Sequence, residues 1–102
     1  MELDIASEQV SAGIAVHVRV RLSPRELNRL FLSGDTLIQL PLDGMVDEVN
    51  GAEMAPIPRS SIFLSEIAGS PDGFSRTFAG AAHASAFATA VRGQISTALE
   101  AS

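Results

Sequence analysis

Nine residues constrain this chain more than any others. From Ile14 to Leu22, the apolar Ile14, Val16, Val18, Val20 and Leu22 alternate without a break with Ala15, His17, Arg19 and Arg21. Successive strand side chains point to opposite faces, so period two with β-branched residues on one side predicts a half-buried strand. One face requires an apolar partner and the other carries charge to water, which requires a sheet with something packed against one side. Gly13 marks a bend or bulge before the strand. Leu3-Asp4-Ile5 suggests a short additional strand, with the polar Ser7-Glu8-Gln9 as a turn.

Immediately after this strand comes a helix start. Ser23 suits the N-cap, Pro24 the first helical position, and Glu26 the third position of a capping box. The helix runs through Leu27, Leu30 and Phe31 and stops near Ser33-Gly34, with Gly34 at the C-terminal boundary. Thr36–Leu42 is expected as a strand with Thr36, Ile38, Leu40 and Leu42 on one face, and Pro41 marks its end or an edge position. Asp43-Gly44 and Asn50-Gly51 are turn signals. Between them Met45, Val46 and Val49 suit a short strand or one helical turn, and the sequence leaves both open. Ala55-Pro56-Ile57-Pro58 is extended or looped.

Ser61–Ala68, with Ile62 and Leu64 in phase, is expected as a further strand. Gly69-Ser70-Pro71-Asp72-Gly73 is a turn, with Ser70 or Asp72 placed to cap the last element. From Phe74 to about Glu100 the sequence predicts one long helix, about 39 Å if continuous. Phe74, Ala81, Ala84, Ala88, Val91, Ile95 and Leu99 gather on one broad face, with Arg76, His83 and Gln94 opposite. Its middle, Ala79–Ala90, carries no formal charge when His83 is neutral, so the helix is expected to pack on two sides. Ala82, Ala86, Phe87, Ala90 and Val91 are the expected contacts with a second copy of the chain.

The sum is a single α+β domain over residues 1–102. It comprises a small sheet of three to five mostly antiparallel strands, one short helix and one long alanine-rich C-terminal helix packed on it. Too few crossover helices exist for a doubly wound parallel sheet. A domain of this length buries only about 60–70% of the surface its unfolded chain exposes, so self-association is a natural supplement.

Composition removes several chemistries. With no Cys, disulfides, thiolate catalysis and cysteine zinc sites are excluded, in keeping with a reducing cytoplasm. All seven basic residues are Arg, which removes Schiff-base lysines and a Walker-type lysine. Met1–Gln9 lacks the pattern of a signal peptide, and no run of about 18 apolar residues predicts a membrane span. The net charge of −5 argues against direct nucleic-acid binding as the main task. His17 and His83 fall in no metal-binding spacing, and the serines form no nucleophile elbow. Asp47 and Glu48 are adjacent and therefore point apart. No metal, cofactor or catalytic residue is expected.

Two charge features remain as candidate partner-binding surfaces. Arg19 and Arg21 share a strand face with His17, and Arg25 and Arg29 lie one helical turn apart. Such a stripe recognises carboxylates or phosphates; the plainer expectation is a solvated face with cross-strand ion pairs. The acidic run of Asp35, Asp43, Asp47, Glu48 and Glu53 offers an anionic surface to a basic partner, or simply a solubilising loop. Val18–Leu27 is similar to the strand-to-helix opening of ribbon-helix-helix DNA-binding proteins, but the strand-like Leu37-Ile38-Gln39-Leu40 stands where that family needs a second helix.

The expectation is therefore a cytoplasmic, non-enzymatic interaction protein that docks onto a protein partner, free or within a nucleoprotein complex, and onto a copy of itself. Small acidic inhibitors and adaptors of phage or mobile-element origin, anti-CRISPR proteins among them, have this general character. The alternatives are a phage virion or assembly component packing through the C-terminal helix, and a ligand-binding or enzymatic α+β dimer with a pocket between sheet and helix.

Overall fold

The computed structural model describes residues 1–47 and 60–100. The expected Asn50-Gly51 turn, the Ala55–Pro58 loop, Val49, and the acidic Glu48 and Glu53 lie outside them. The described elements follow the order β1 (Glu2–Val10), β2 (Gly13–Arg21), α1 (Pro24–Ser33), β3 (Leu37–Leu40), β4 (Ser60–Phe63), α2 (Leu64–Gly69), β5 (Phe74–Phe78) and α3 (Ala81–Glu100). The fold is α+β, with one antiparallel sheet ordered β1-β2-β5 and a second of β3 and β4.

The alternation of Ile14–Leu22 is realised in β2, the central strand. Val16, Val18 and Val20 are buried, while His17, Arg19 and Arg21 face water. The first strand is longer than its sequence suggests. Ser7-Glu8-Gln9 is not a turn but part of β1, paired with Val16, Ala15 and Ile14 of β2. Polar residues hold this strand because Glu8 lies on the solvated outer face, Ser7 and Gln9 stay exposed on the inner one, and a well-patterned neighbour supplies the hydrogen bonds. The turn is Ser11-Ala12, and Gly13 begins β2 at φ 152, where a Cβ would run into the Phe78 carbonyl oxygen.

Helix α1 forms as its caps dictate. The Glu26 N–H donates to the Ser23 hydroxyl oxygen at 3.1 Å, and the Ser23 N–H donates to the Glu26 carboxylate at 3.0 Å. That amide, and after it the Met1 ammonium 3.0 Å away, hold the Glu26 carboxyl below its ordinary range. β3 buries Ile38 and Leu40 and ends before Pro41, as its pattern predicts.

Two segments depart from expectation. Ser61–Ala68 is half strand and half helix, changing at Leu64. The reason is a long-range cap: the Ser65 N–H and hydroxyl donate to the Asp35 carboxylate, and the Leu64 N–H donates to the Thr36 carbonyl at 2.8 Å. The expected helix from Phe74 is strand β5 for five residues and becomes helical at Ala81. Phe74 and Phe78, four apart, share a face in either conformation. Pairing with the open side of β2 decides for the strand, so neither Ser70 nor Asp72 caps the start of a helix; Ser70 instead ends α2, its N–H donating to the Ile67 carbonyl. Gly73, at φ 69, lets the chain pass against the Val18 carbonyl.

Helix α3 lies across the inner face of the three-stranded sheet and against β3. Ala84, Phe87, Val91 and Ile95 are buried there. The Phe87 ring stands 5.0 Å from that of Phe78 and 6.3 Å from that of Phe74, nearly perpendicular to the latter. The chain's own β3 packs on the later part of the helix, while Ala82, His83, Ser85 and Ala86 in its uncharged middle stay exposed. Gln94, expected on the far side, accepts from the Gln39 N–H and donates to the Gln39 carbonyl, both at 2.7 Å.

Candidate interaction surface

The arginine stripe is paired within the sheet. Antiparallel register sets Asp4 opposite Arg19 and Glu2 opposite Arg21. Arg19 donates to Asp4 at 3.3 Å, Arg21 lies 4.0 Å from Glu2, and His17 lies 3.3 Å from Glu8. The two arginine contacts are cross-strand ion pairs of a solvated face, and His17 with Glu8 adds a cross-strand hydrogen bond. Arg25 and Arg29 are exposed on α1. Arg76, placed by the sequence on a helix, instead sits on β5, its guanidinium 5.2 Å over the Phe74 ring.

The acidic run divides. Asp35 is taken up by the cap on Ser65 and by the Thr36 N–H at 2.9 Å. Asp43 stands exposed in the turn before Gly44, and Asp47 is half-buried after an isolated bridge at Met45. That bridge settles the Met45-Val46 question for extended backbone. His83 lies exposed on α3 with its ring beside Gly44. Among the described residues, no three His, Asp or Glu side chains gather closely enough to hold a metal ion. No described helix is long and apolar enough to cross a membrane.

The residues expected to meet a second copy through α3 are not all available. Phe87 and Val91 have no exposed surface and belong to the chain's own core, because the helix face that carries them is the one laid on the sheet. Ala82 and Ala86 are exposed and Ala90 is half-buried.

One surface was not anticipated from sequence: the outer edge of β1. The tight hairpin makes Val10 and Gly13 a hydrogen-bonded pair, so alternation gives Glu8–Ala15, Ala6–His17 and Asp4–Arg19 the same status. The main-chain groups of Leu3, Ile5, Ser7 and Gln9 therefore turn away from β2. Among the described residues, no strand pairs with that edge. On the outer face, Glu2, Asp4 and Glu8 side chains are 74%, 60% and 67% exposed. On the inner face, below Ser7 and Ile14, a groove of about 270 Å³ runs against Ala84, Ser85, Ala88, Thr89 and Arg92 of α3. The signal available in the sequence was Leu3 and Ile5 in phase with Ser7 and Gln9, obscured because the last two are polar.

Comparison with known protein families, curated proteins and solved structures finds no match to this chain.

Proposed function

We propose that this is a non-enzymatic interaction protein, of inhibitor or adaptor type, which docks onto a macromolecular partner through the open edge of β1. The observation that carries the reading is that edge: outward main-chain groups at Leu3, Ile5, Ser7 and Gln9, lying above a groove lined on α3 by small residues and, at one end, by Arg92. Strand addition to such an edge draws affinity from main-chain hydrogen bonds and specificity from alternate side chains. The test is capture of partners from the native source by the intact chain and by Ser7→Pro. Proline removes one outward N–H and is tolerated at sheet edges. Loss of the captured partner with the circular dichroism spectrum retained is the expected result; undiminished capture overturns the reading.

A second reading, an assembly component, is favoured by Phe31 and Leu32, which are 69% and 80% exposed on α1. It predicts concentration-dependent mass in sedimentation, abolished by Phe31→Asp with Leu32→Asp. A monomer at all concentrations counts against it.

A further inference from the structure

We propose that the occupant of the β1 edge is an extended segment of a partner protein in which basic and apolar side chains alternate; this rests on the edge-docking reading above. The main chain sets the geometry. An antiparallel strand added outside β1 would exchange hydrogen bonds with Leu3, Ile5, Ser7 and Gln9. Asp4, Ala6 and Glu8 would then face it in non-hydrogen-bonded pairs, where opposed side chains come closest.

Charge selects the outward side chains. Glu2, Asp4 and Glu8 each have a basic neighbour on β2 and none from the described residues on the open flank. An arginine or lysine at every second position of the incoming strand would continue the alternation of sign across the sheet. The groove selects the inward side chains. A residue opposite Ser7 would project between the sheet and α3, onto Ala84, Ser85 and Ala88, where an aliphatic side chain fits and a second cation would meet Arg92 at the groove's end. The chain already contains a strand of this kind. β2, with Val16, Val18 and Val20 inward and His17, Arg19 and Arg21 outward, is what satisfies the other edge of β1.

The same charges discriminate against two other occupants. Two copies joined through β1 about Ala6 would set Asp4 opposite the Glu8 of a second copy, twice over, and like charges directly opposed are destabilising. A phosphate backbone would meet the same acidic row.

The experiment uses the full chain and three blocked nonapeptides, alternating Val with Arg, with Thr or with Glu, followed by amide hydrogen exchange and NMR titration. The Val/Arg peptide is expected to protect the amides of Leu3, Ile5, Ser7 and Gln9 and to leave those of Asp4, Ala6 and Glu8, already bonded to β2, unchanged. It should bind at least about tenfold tighter than the Val/Thr peptide, the sum of two or three cross-strand pairs. Asp4→Asn with Glu8→Gln should erase that preference while keeping the alternating protection. Equal binding of Val/Arg and Val/Thr peptides at the edge overturns the basic partner and leaves edge docking standing. Absence of protection at these four amides, or shifts confined to Asp43 and Asp47, also overturns the proposal. Edge docking itself falls only if Ser7→Pro keeps its captured partner.

Discussion

The three-stranded sheet has two outer edges, and they are treated differently. On the β5 side, Met45 bridges Phe78, the Val46 N–H donates to the Thr77 carbonyl at 2.9 Å, and the Ala79 N–H donates to the Gly44 carbonyl at 2.9 Å. On the β1 side, among the described residues, nothing pairs. The second sheet offers a third solution, since the side chain of Gln94 plugs the free flank of β3 with two hydrogen bonds to Gln39. An unpaired edge is a template for another chain, and proteins close or guard such edges. Here the flank of β5 is closed at Thr77–Ala79 by main chain and that of β3 at Gln39 by a side chain, while among the described residues the flank of β1 stays open and is guarded by charge. That difference marks the edge of β1 as a place where a partner strand can add to the three-stranded sheet.

The contrast is tested most severely at the closed end. Phe87→Ala removes the ring that packs on Phe74 and Phe78 and should cost about 3–5 kcal/mol in urea unfolding. If the loss is under about 1 kcal/mol, helix and sheet are not packed as described. A smaller effect is expected from Gln94→Ala, about 1 kcal/mol, with faster exchange of the Gln39 amide. This variant turns a plugged edge into an open one. Any strand-binding it gains at β3 strengthens the contrast with β1.

Acid should loosen the start of α1 by a modest amount. Because the Ser23 amide, and then the Met1 ammonium, hold the Glu26 carboxyl below its ordinary value of 4.5, its contribution is full above that pH. It is lost as pH falls through the lower folded value. Glu26→Gln should flatten this part of the acid titration of helicity; an unchanged profile would remove Glu26 from the cause. The smallest change belongs to the β1–β2 face. Arg19→Ala should shift stability by under about 1 kcal/mol, since both partners in its pair with Asp4 are largely exposed. A larger loss would mean that the ion-pair row holds the sheet together and is not free to select a partner.

Much of the fold was legible in local pattern. The period of β2, the capping box of α1 and the Pro41 stop after β3 each act within a few residues, so sequence contains all their physics. The candidate site was much less legible. The arginine stripe and its cross-strand ion pairs could be expected but not their partners, because Asp4 and Glu2 reach it only through hairpin register. Phe87 and Val91 read as available helix residues until the face of α3 that meets the sheet was known.

Residue pattern alone was enough for the strand Ile14–Leu22, the caps of the short helix, the α+β class and the absence of cysteine chemistry. Long-range contacts settled that Ser7–Gln9 is strand, that Phe74–Phe78 is β5, and that a helix begins at Leu64 with Ser65 held by Asp35. They also settled that the later part of α3 packs on β3 of the same chain. The physical reason is common to all four. Each segment satisfies two conformations locally, and the choice is made by hydrogen-bonding groups or apolar faces supplied from distant residues, which local periodicity does not contain.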